Sequence, residues 1–371
     1  MELTRDLIFT LPKTDLHVHL DGSLRPATIV DIAKKRGIEL PSYDVEELSH
    51  LLTVEGKVEN LQEYIDKFDM TLSVMQDADS LRRVAFELAE DAAAENIRYM
   101  EVRYSPILHQ KEGLSLNAIV DAVLEGLREA EKQFDIRTGV IICGIRSINP
   151  ETSLRLAELA VSYKKKGVVA FDLAGVEYNY PAKDHIKAFY MARNNNINTT
   201  LHAGEAYGPA SIHQAIHYCG AHRIGHGTRL IEDDDLLNYV CDHRIPLEIC
   251  LTSNVQTQSV SAIEKHPFKQ YLDKQLRVTL NTDNRLISGT TMTDELWLAA
   301  QTFNLSFEKL SKVILNGFKS SFLPFAEKVE IYRRAKSEIV EIGLQHGVSL
   351  LSMPDSKYLS FENHTTSKSQ G

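Results

Sequence analysis

Eight short apolar segments, separated by longer stretches with helical spacing, constrain the fold of this 371-residue chain more than any other feature. They are Thr14–Leu20, Ile97–Tyr104, Thr138–Ile145, Val168–Ala174, Asn198–Ala203, Arg223–Gly227, Pro246–Leu251 and Arg277–Asn281. Between them, apolar residues recur at three- and four-residue intervals, as in Leu81, Ala85, Leu88, Ala89 and Ala92, or in Ile119, Val123 and Leu127. Such alternation implies parallel strands joined by crossover helices. Eight strands close naturally into a (β/α)8 barrel, a TIM barrel; an open doubly wound sheet is the alternative on periodicity alone.

The interval of residues 21–96 is too long for one crossover helix. Pro26–Arg36, Val45–Leu52 and Leu61–Met75 read as extra helices there, the first with Asp21, Ser23 and Pro26 as start signals, and the excursion is expected to form a lid over the first strand's C-terminal end. Residues 291–347 read as helical and close the fold. No linker or repeat divides the chain, so residues 1–362 are expected to form one domain and residues 363–371 a frayed tail. Hydrophobic residues are 43% and charged residues 25%, enough for a large closed core. A net charge of −10 argues against non-specific nucleic-acid binding, which needs a basic surface. No signal-like apolar start and no window of membrane-spanning length is present. Cys143, Cys219, Cys241 and Cys250 form no CxxC pair and read as buried thiols of a reducing compartment, by default the cytoplasm.

His17 and His19 flank Val18 on the first strand, where a side-chain period of two puts both imidazoles on one face. The pair suits a first-row metal such as zinc, or a pair of structural histidines. Further polar clusters follow later strands: His202-Ala203-Gly204-Glu205, Arg223-Ile224-Gly225-His226-Gly227, and Asn281-Thr282-Asp283-Asn284. Each alone could be a turn or a cap. Gathered at the C-terminal ends of barrel strands, where such folds assemble their sites, they cost desolvation energy unless a metal or substrate offsets them.

The segments His17–Ser23, Asp172–Gly175, His202–Glu205, Arg223–Gly227, Ser253-Asn254 and Asn281–Asp283 together strongly resemble the adenosine deaminase family, in order from about Leu11 to Phe325. The resemblance implies an amidohydrolase-type barrel with one zinc ion that hydrolyses adenosine, and 2′-deoxyadenosine, to inosine and ammonia in purine salvage. By the same resemblance His17, His19, His202 and Asp283 match the zinc ligands, and zinc would acidify a water molecule. His226 matches the residue that orients and deprotonates that water, and Glu205 the acid that protonates purine N1. Gly175 matches a backbone contact to the purine, Asp21 a contact to the ribose 5′-hydroxyl, and Leu61, Tyr64, Ile65 and Phe68 an apolar lid. His19 is matched to substrate contact as well.

Where better-known members carry a second aspartate, this chain has Asn284 followed by Arg285. An asparagine amide donates to purine N7 without having to hold a proton. Arg285 either pairs with an acidic side chain or meets a charged substrate appendage. The other histidines, His266 among them, match no ligand position and read as surface or structural. The partner implied is a small purine nucleoside, with neither nucleic acid nor membrane. Adenine, or an adenosine modified at its 5′ position, is the alternative substrate; an inactive nucleoside-binding protein is the remote one.

Overall fold

A computed structural model describes residues 3–57 and 61–348, with the backbone alone for residues 61–66. The strands are β1 (Lys13–His19), β2 (Ile97–Tyr104), β3 (Arg137–Ile145), β4 (Val168–Ala174), β5 (Asn198–Thr199), β6 (His202–Ala203), β7 (Ile224–His226), β8 (Leu247–Ile249) and β9 (Val278–Leu280). Every pairing is parallel, running β1 to β5 in one sheet and β6 to β9 in the other. The fifth expected strand is thus split into β5, which pairs with β4, and β6, which pairs with β7, and Thr200 and Leu201 link the two. Thr200 N–H donates to Phe171 O at 3.1 Å, and Gly225 N–H donates to Leu201 O at 2.8 Å.

The ring closes between its last and first strands. A parallel bridge joins Val18 to Asp283; Asp283 N–H donates to His17 O at 2.8 Å, and His19 N–H donates to Asp283 O at 2.7 Å. The chain is therefore a TIM barrel and not an open sheet. On β2, Met100, Val102 and Tyr104 join the apolar layer under the helices. Glu101 and Arg103 point the other way, and Arg103 meets Glu248 on β8, which is possible only across the barrel interior.

Between β1 and β2 lie helices Pro26–Arg36, Val45–Leu52, Leu61–Ser73 and Ala78–Ala94. The first starts from Arg25 without a side-chain cap, so Asp21 is not a helix cap. Residues 53–57 sit on the loops that follow β8 and β9: Val54 N–H donates to Ile287 O at 2.8 Å, and Gln256 Nε2 donates to Val54 O at 2.9 Å. The excursion therefore reaches the rim at the C-terminal strand ends. The helical C-terminal stretch is broken into Met292–Thr302, Phe307–Ser320 and Phe325–Gln345. Cys143, Cys219 and Cys250 are buried, whereas Cys241 is half-exposed, a correction to the expectation for that residue. Among the described residues no helix is long and apolar enough to cross a membrane. The expected domain limit at residue 362 and the tail 363–371 lie outside the described residues.

Helices Ala78–Ala94 and Leu116–Gln133 meet backbone to backbone at Gly126, where a Cβ would overlap the Arg82 carbonyl oxygen. Gly126→Ala should therefore separate the two helices and destabilise the chain by about 1–3 kcal/mol. A thermal midpoint equal to that of the parent chain would show that the helices do not need this close approach.

Candidate active site and metal centre

β1, β6 and the turn after β9 each deliver ligand-type side chains to one point. His17 Nε2 lies 3.0 Å from His202 Nε2 and 3.4 Å from Asp283 Oδ1. His19 Nε2 lies 3.2 Å from His202 Nε2 and 3.5 Å from the same Asp283 oxygen. Four donors on tetrahedral bonds to zinc would stand about 3.3–3.4 Å apart, the edge set by bonds of roughly 2.0–2.1 Å. The four measured edges match that spacing.

Hydrogen-bond polarity makes the case for a cation independently. His17 Nδ1 bonds Glu248 Oε2 at 2.9 Å, and His202 Nδ1 bonds Asp172 Oδ2 at 3.0 Å. A carboxylate only accepts, so both Nδ1 atoms carry hydrogen, and in the neutral rings, the form that a metal binds, both Nε2 atoms present lone pairs. Two lone pairs facing each other at 3.0 Å repel unless a positive charge, a metal ion or a proton shared by the two rings, sits beside them. These residues fit a divalent metal, with Glu248 and Asp172 holding the ligand rings in orientation.

Titration follows the same geometry. Burial, with Arg103 and His202 nearby, pushes His17 down to about 4, and burial holds His19 well below the usual histidine range. Burial also lowers His202, but Asp172 outweighs it and raises the net value. Burial alone would raise Glu248 and Asp172. Arg103 and Arg223 hold Glu248, and His202 and Arg103 hold Asp172, well below the usual carboxylate range. Asp283 is likewise held low, by His17, against the effect of burial.

His226 adjoins this cage, with a ring nitrogen within 4.8 Å of the donor atoms of His17, His202 and Asp283. Its two nitrogens are directed elsewhere: Nδ1 meets Asn254 Nδ2 at 3.0 Å, and Nε2 faces Glu205 Oε2 at 3.6 Å. His19, not His226, has the tetrahedral spacing. His226 and Asp283 are both non-glycine residues in the left-handed region, at φ 62° and 61°. Such conformations cost on the order of 1–3 kcal/mol and concentrate at functional sites.

The remaining expected residues ring this point. Glu205 accepts from Thr257 Oγ1 at 3.2 Å. Asp21 is buried, its Oδ1 has no hydrogen-bond partner among the described residues, and burial raises its pKa to about 6. Gly175 ends β4 at φ 94°, in the left-handed region that favours glycine. Asn284 is buried with its Oδ1 against Gly22, where any Cβ would collide with it. Arg285 is turned away into an ion pair of 2.6 Å with Glu95. Phe68 is half-buried on the helix Leu61–Ser73; Leu61, Tyr64 and Ile65 share that helix, their side chains outside the described ones.

Several supporting residues carry no motif. Glu177 accepts from the backbone N–H groups of Gly204 (3.0 Å), Glu205 (2.8 Å) and Ala206 (3.0 Å), which fixes the loop bearing Glu205. Arg146 Nη2 donates to His202 O at 2.7 Å. Arg103, Arg223, Glu101 and Glu248 form a buried ion lattice under the cage. The available signal was a charged residue inside an otherwise apolar strand segment.

Residues 12–338 match the family model described as adenosine deaminase. A probable adenosine deaminase of Dictyostelium discoideum is 40% identical over 361 residues, 97% of this chain, which spans about half (47%) of that relative's length. An adenosine deaminase of Mycobacterium sp. (strain JLS) is 42% identical over 344 residues, covering 89% of this chain and 95% of that protein. Among solved structures, adenine deaminase from Arthrobacter aurescens superposes with a TM-score of 0.82 at 26% identity, covering 88% of this chain and 98% of that one.

Glu248 bonds His17, Arg103 and Arg223. Glu248→Gln should therefore leave buried guanidinium charge uncompensated, costing about 3–5 kcal/mol of stability. It should also weaken metal binding roughly 10–100-fold. Because the folded pKa lies below the ordinary 4.5, this stabilisation is present above that value and lost as pH falls below it. Denaturant unfolding and chelator competition read the two effects; unchanged values in both would show that the lattice does not support the cage.

Proposed function

The chain belongs to the adenosine deaminase family, and from that premise we propose that it hydrolyses the 6-amino group of adenosine, and of 2′-deoxyadenosine, to give inosine or its deoxy form and ammonia. The observation that carries the reading is the cage of His17, His19, His202 and Asp283, with His226 and Glu205 beside it. In this reading the four cage residues hold one zinc ion, whose positive charge makes a water molecule more acidic. His226 orients that water. Glu205 stands on the purine side as the proton donor to N1, held by Thr257 through its side chain and by Glu177 through its backbone.

The substrate contacts extend from the same geometry. Asp21 offers an unmatched buried oxygen to the ribose 5′-hydroxyl. Gly175 lets the purine approach the backbone, and Asn284 donates its amide to N7. Leu61, Tyr64 and Phe68 match the family's apolar cover over the base by resemblance alone. Arg285 is paired with Glu95, so this position offers no spare cation to a 5′-phosphate, which favours a nucleoside over a nucleotide. The absence of disulfides among the four cysteines fits a reducing compartment, and we place the enzyme in the cytoplasm.

A spectroscopic deamination assay on purified protein, with metal content measured on the same sample, tests the assignment. Adenosine should be turned over faster than adenine or adenosine 5′-monophosphate; a preference for either of those would overturn the substrate proposal. Glu205→Gln should lower kcat by roughly 10²–10⁴-fold with metal content and thermal midpoint unchanged. A variant retaining a large part of parent kcat would mean that another group is the acid.

Asn284→Ala should lower kcat/KM for adenosine by roughly 10–100-fold, the effect of leaving N7 without its donor. The same variant should lose much less on 7-deazaadenosine, which has no N7 acceptor. Equal losses on both substrates would refute the N7 contact and leave Asn284 as a support for Asp283.

A further inference from the structure

His226 is connected away from the reaction centre to a histidine that no motif marks. His266 is buried, just ahead of the helix Phe268–Asp273, and Phe268 N–H donates to His266 Nδ1 at 3.0 Å. A backbone N–H can only donate, so His266 Nδ1 carries no hydrogen. Burial and the neighbouring His226 push its pKa to about 3, so the ring is neutral with its single proton on Nε2. That Nε2–H donates to Asn254 Oδ1 at 3.2 Å.

The direction of the next bond follows. With Oδ1 of Asn254 engaged as an acceptor, its amide nitrogen is the atom 3.0 Å from His226 Nδ1, and it donates. Asn254 is fully buried on the helix Leu251–Gln256, which directly follows β8. Reversing its amide would set an N–H against His266 Nε2. Both nitrogens of His266 would then have to accept, which requires an imidazolate anion. The relay therefore has one polarity, set by a main-chain donor: Phe268 to His266 to Asn254 to His226.

We propose that His266 is a positioning residue which, acting through Asn254, fixes His226 as the tautomer protonated on Nε2, so that His226 presents a hydrogen-bond donor rather than a base to the reacting centre. In that tautomer Nδ1 is the acceptor and Nε2–H is directed toward the side of Glu205, whose Oε2 lies 3.6 Å away. A neutral ring already protonated on Nε2 has no lone pair there with which to deprotonate water. Its contribution is to hold the attacking oxygen by donating to it. The family resemblance alone had implied both orientation and deprotonation; the relay supports the first and opposes the second. This inference rests on the reading of His226 as the neighbour of the attacking water, but the tautomer itself is read without turnover.

The test is a long-range proton–nitrogen correlation spectrum of the metal-loaded enzyme labelled with ¹⁵N-histidine, with His226 assigned by its loss in His226→Gln. The parent enzyme should show His226 with an unprotonated Nδ1 and a protonated Nε2. In Asn254→Asp the carboxylate can only accept, so His226 should switch to Nδ1–H. The kcat should then fall on the order of 10²-fold or more, with KM within about twofold and metal content unchanged. His266→Phe should remove the single fixed tautomer, while His266→Gln, whose amide N–H can still reach Asn254, should restore it. A parent enzyme with His226 protonated on Nδ1 overturns the proposal whether or not any variant folds, as does an Asn254→Asp enzyme with an unchanged pattern. The parent pattern in a protein inert toward adenosine would instead sink the deaminase reading and leave the relay standing.

Discussion

Arg103 is the interaction on which the centre of this barrel depends. Its guanidinium reaches across the interior to Asp172 (2.9 Å), Glu248 (2.8 Å) and the carbonyl of Leu16 (2.7 Å), joining β2 to β4, β8 and β1. Glu248 and Asp172 are also the carboxylates that orient His17 and His202. One buried cation thus sets the positions of two ring planes at once. The connected set, including Arg223, Glu101 and Asp283, places two guanidiniums against four carboxylates. An excess of two negative charges in a water-poor interior is costly, and one divalent cation held at the cage would offset it. The lattice and the cage are two halves of one electrostatic balance.

Ring closure and ligand placement are likewise a single device. Asp283 holds β9 to β1 through its own N–H and C=O, and it carries the cage carboxylate on the same residue. Its left-handed backbone turns that carboxylate inward just past the last strand, and that of His226 does the same for an imidazole at the end of β7. Strain of this kind persists only where surrounding bonds fix the conformation, and the two bonds to β1 do so for Asp283. A loosened β1–β9 seam would therefore disturb the cage before it disturbed the core.

Much of this was legible in the chain. Strand positions follow from apolar segments whose buried face needs no polar alternation, so Ile97–Tyr104 and Val168–Ala174 are found at their expected ends. The later strands are shorter than their apolar segments, β7, β8 and β9 each keeping three residues. His17 and His19 stood out because a period of two is a local property, whereas the ligand role of His202 and Asp283 came from the family resemblance. Glu177 and Arg146 were not, since their meaning lies in carbonyls and N–H groups brought near by folding. His266 was the hardest to see. Nothing local distinguishes a histidine that caps a helix with one nitrogen and polarises a distant amide with the other.

The cage itself is uneven, and the unevenness follows from its supports. His17 and His202 each have a carboxylate at hydrogen-bond distance from Nδ1 and lie on the buried side. His19 does not: the nearest oxygen of Asp21 is 4.0 Å from its Nδ1, and its side chain keeps 15% of its surface exposed. A ligand ring without an anchoring carboxylate is freer to rotate and is a weaker donor than its neighbours. It is also the most exposed of the four cage side chains. Two fixed imidazoles would therefore set where a metal is held, and the less constrained one is the more exposed, beside the buried carboxyl of Asp21. An arrangement of this kind would let the exposed ligand adjust without moving the other two imidazoles, because it is the one that the Arg103 lattice does not hold.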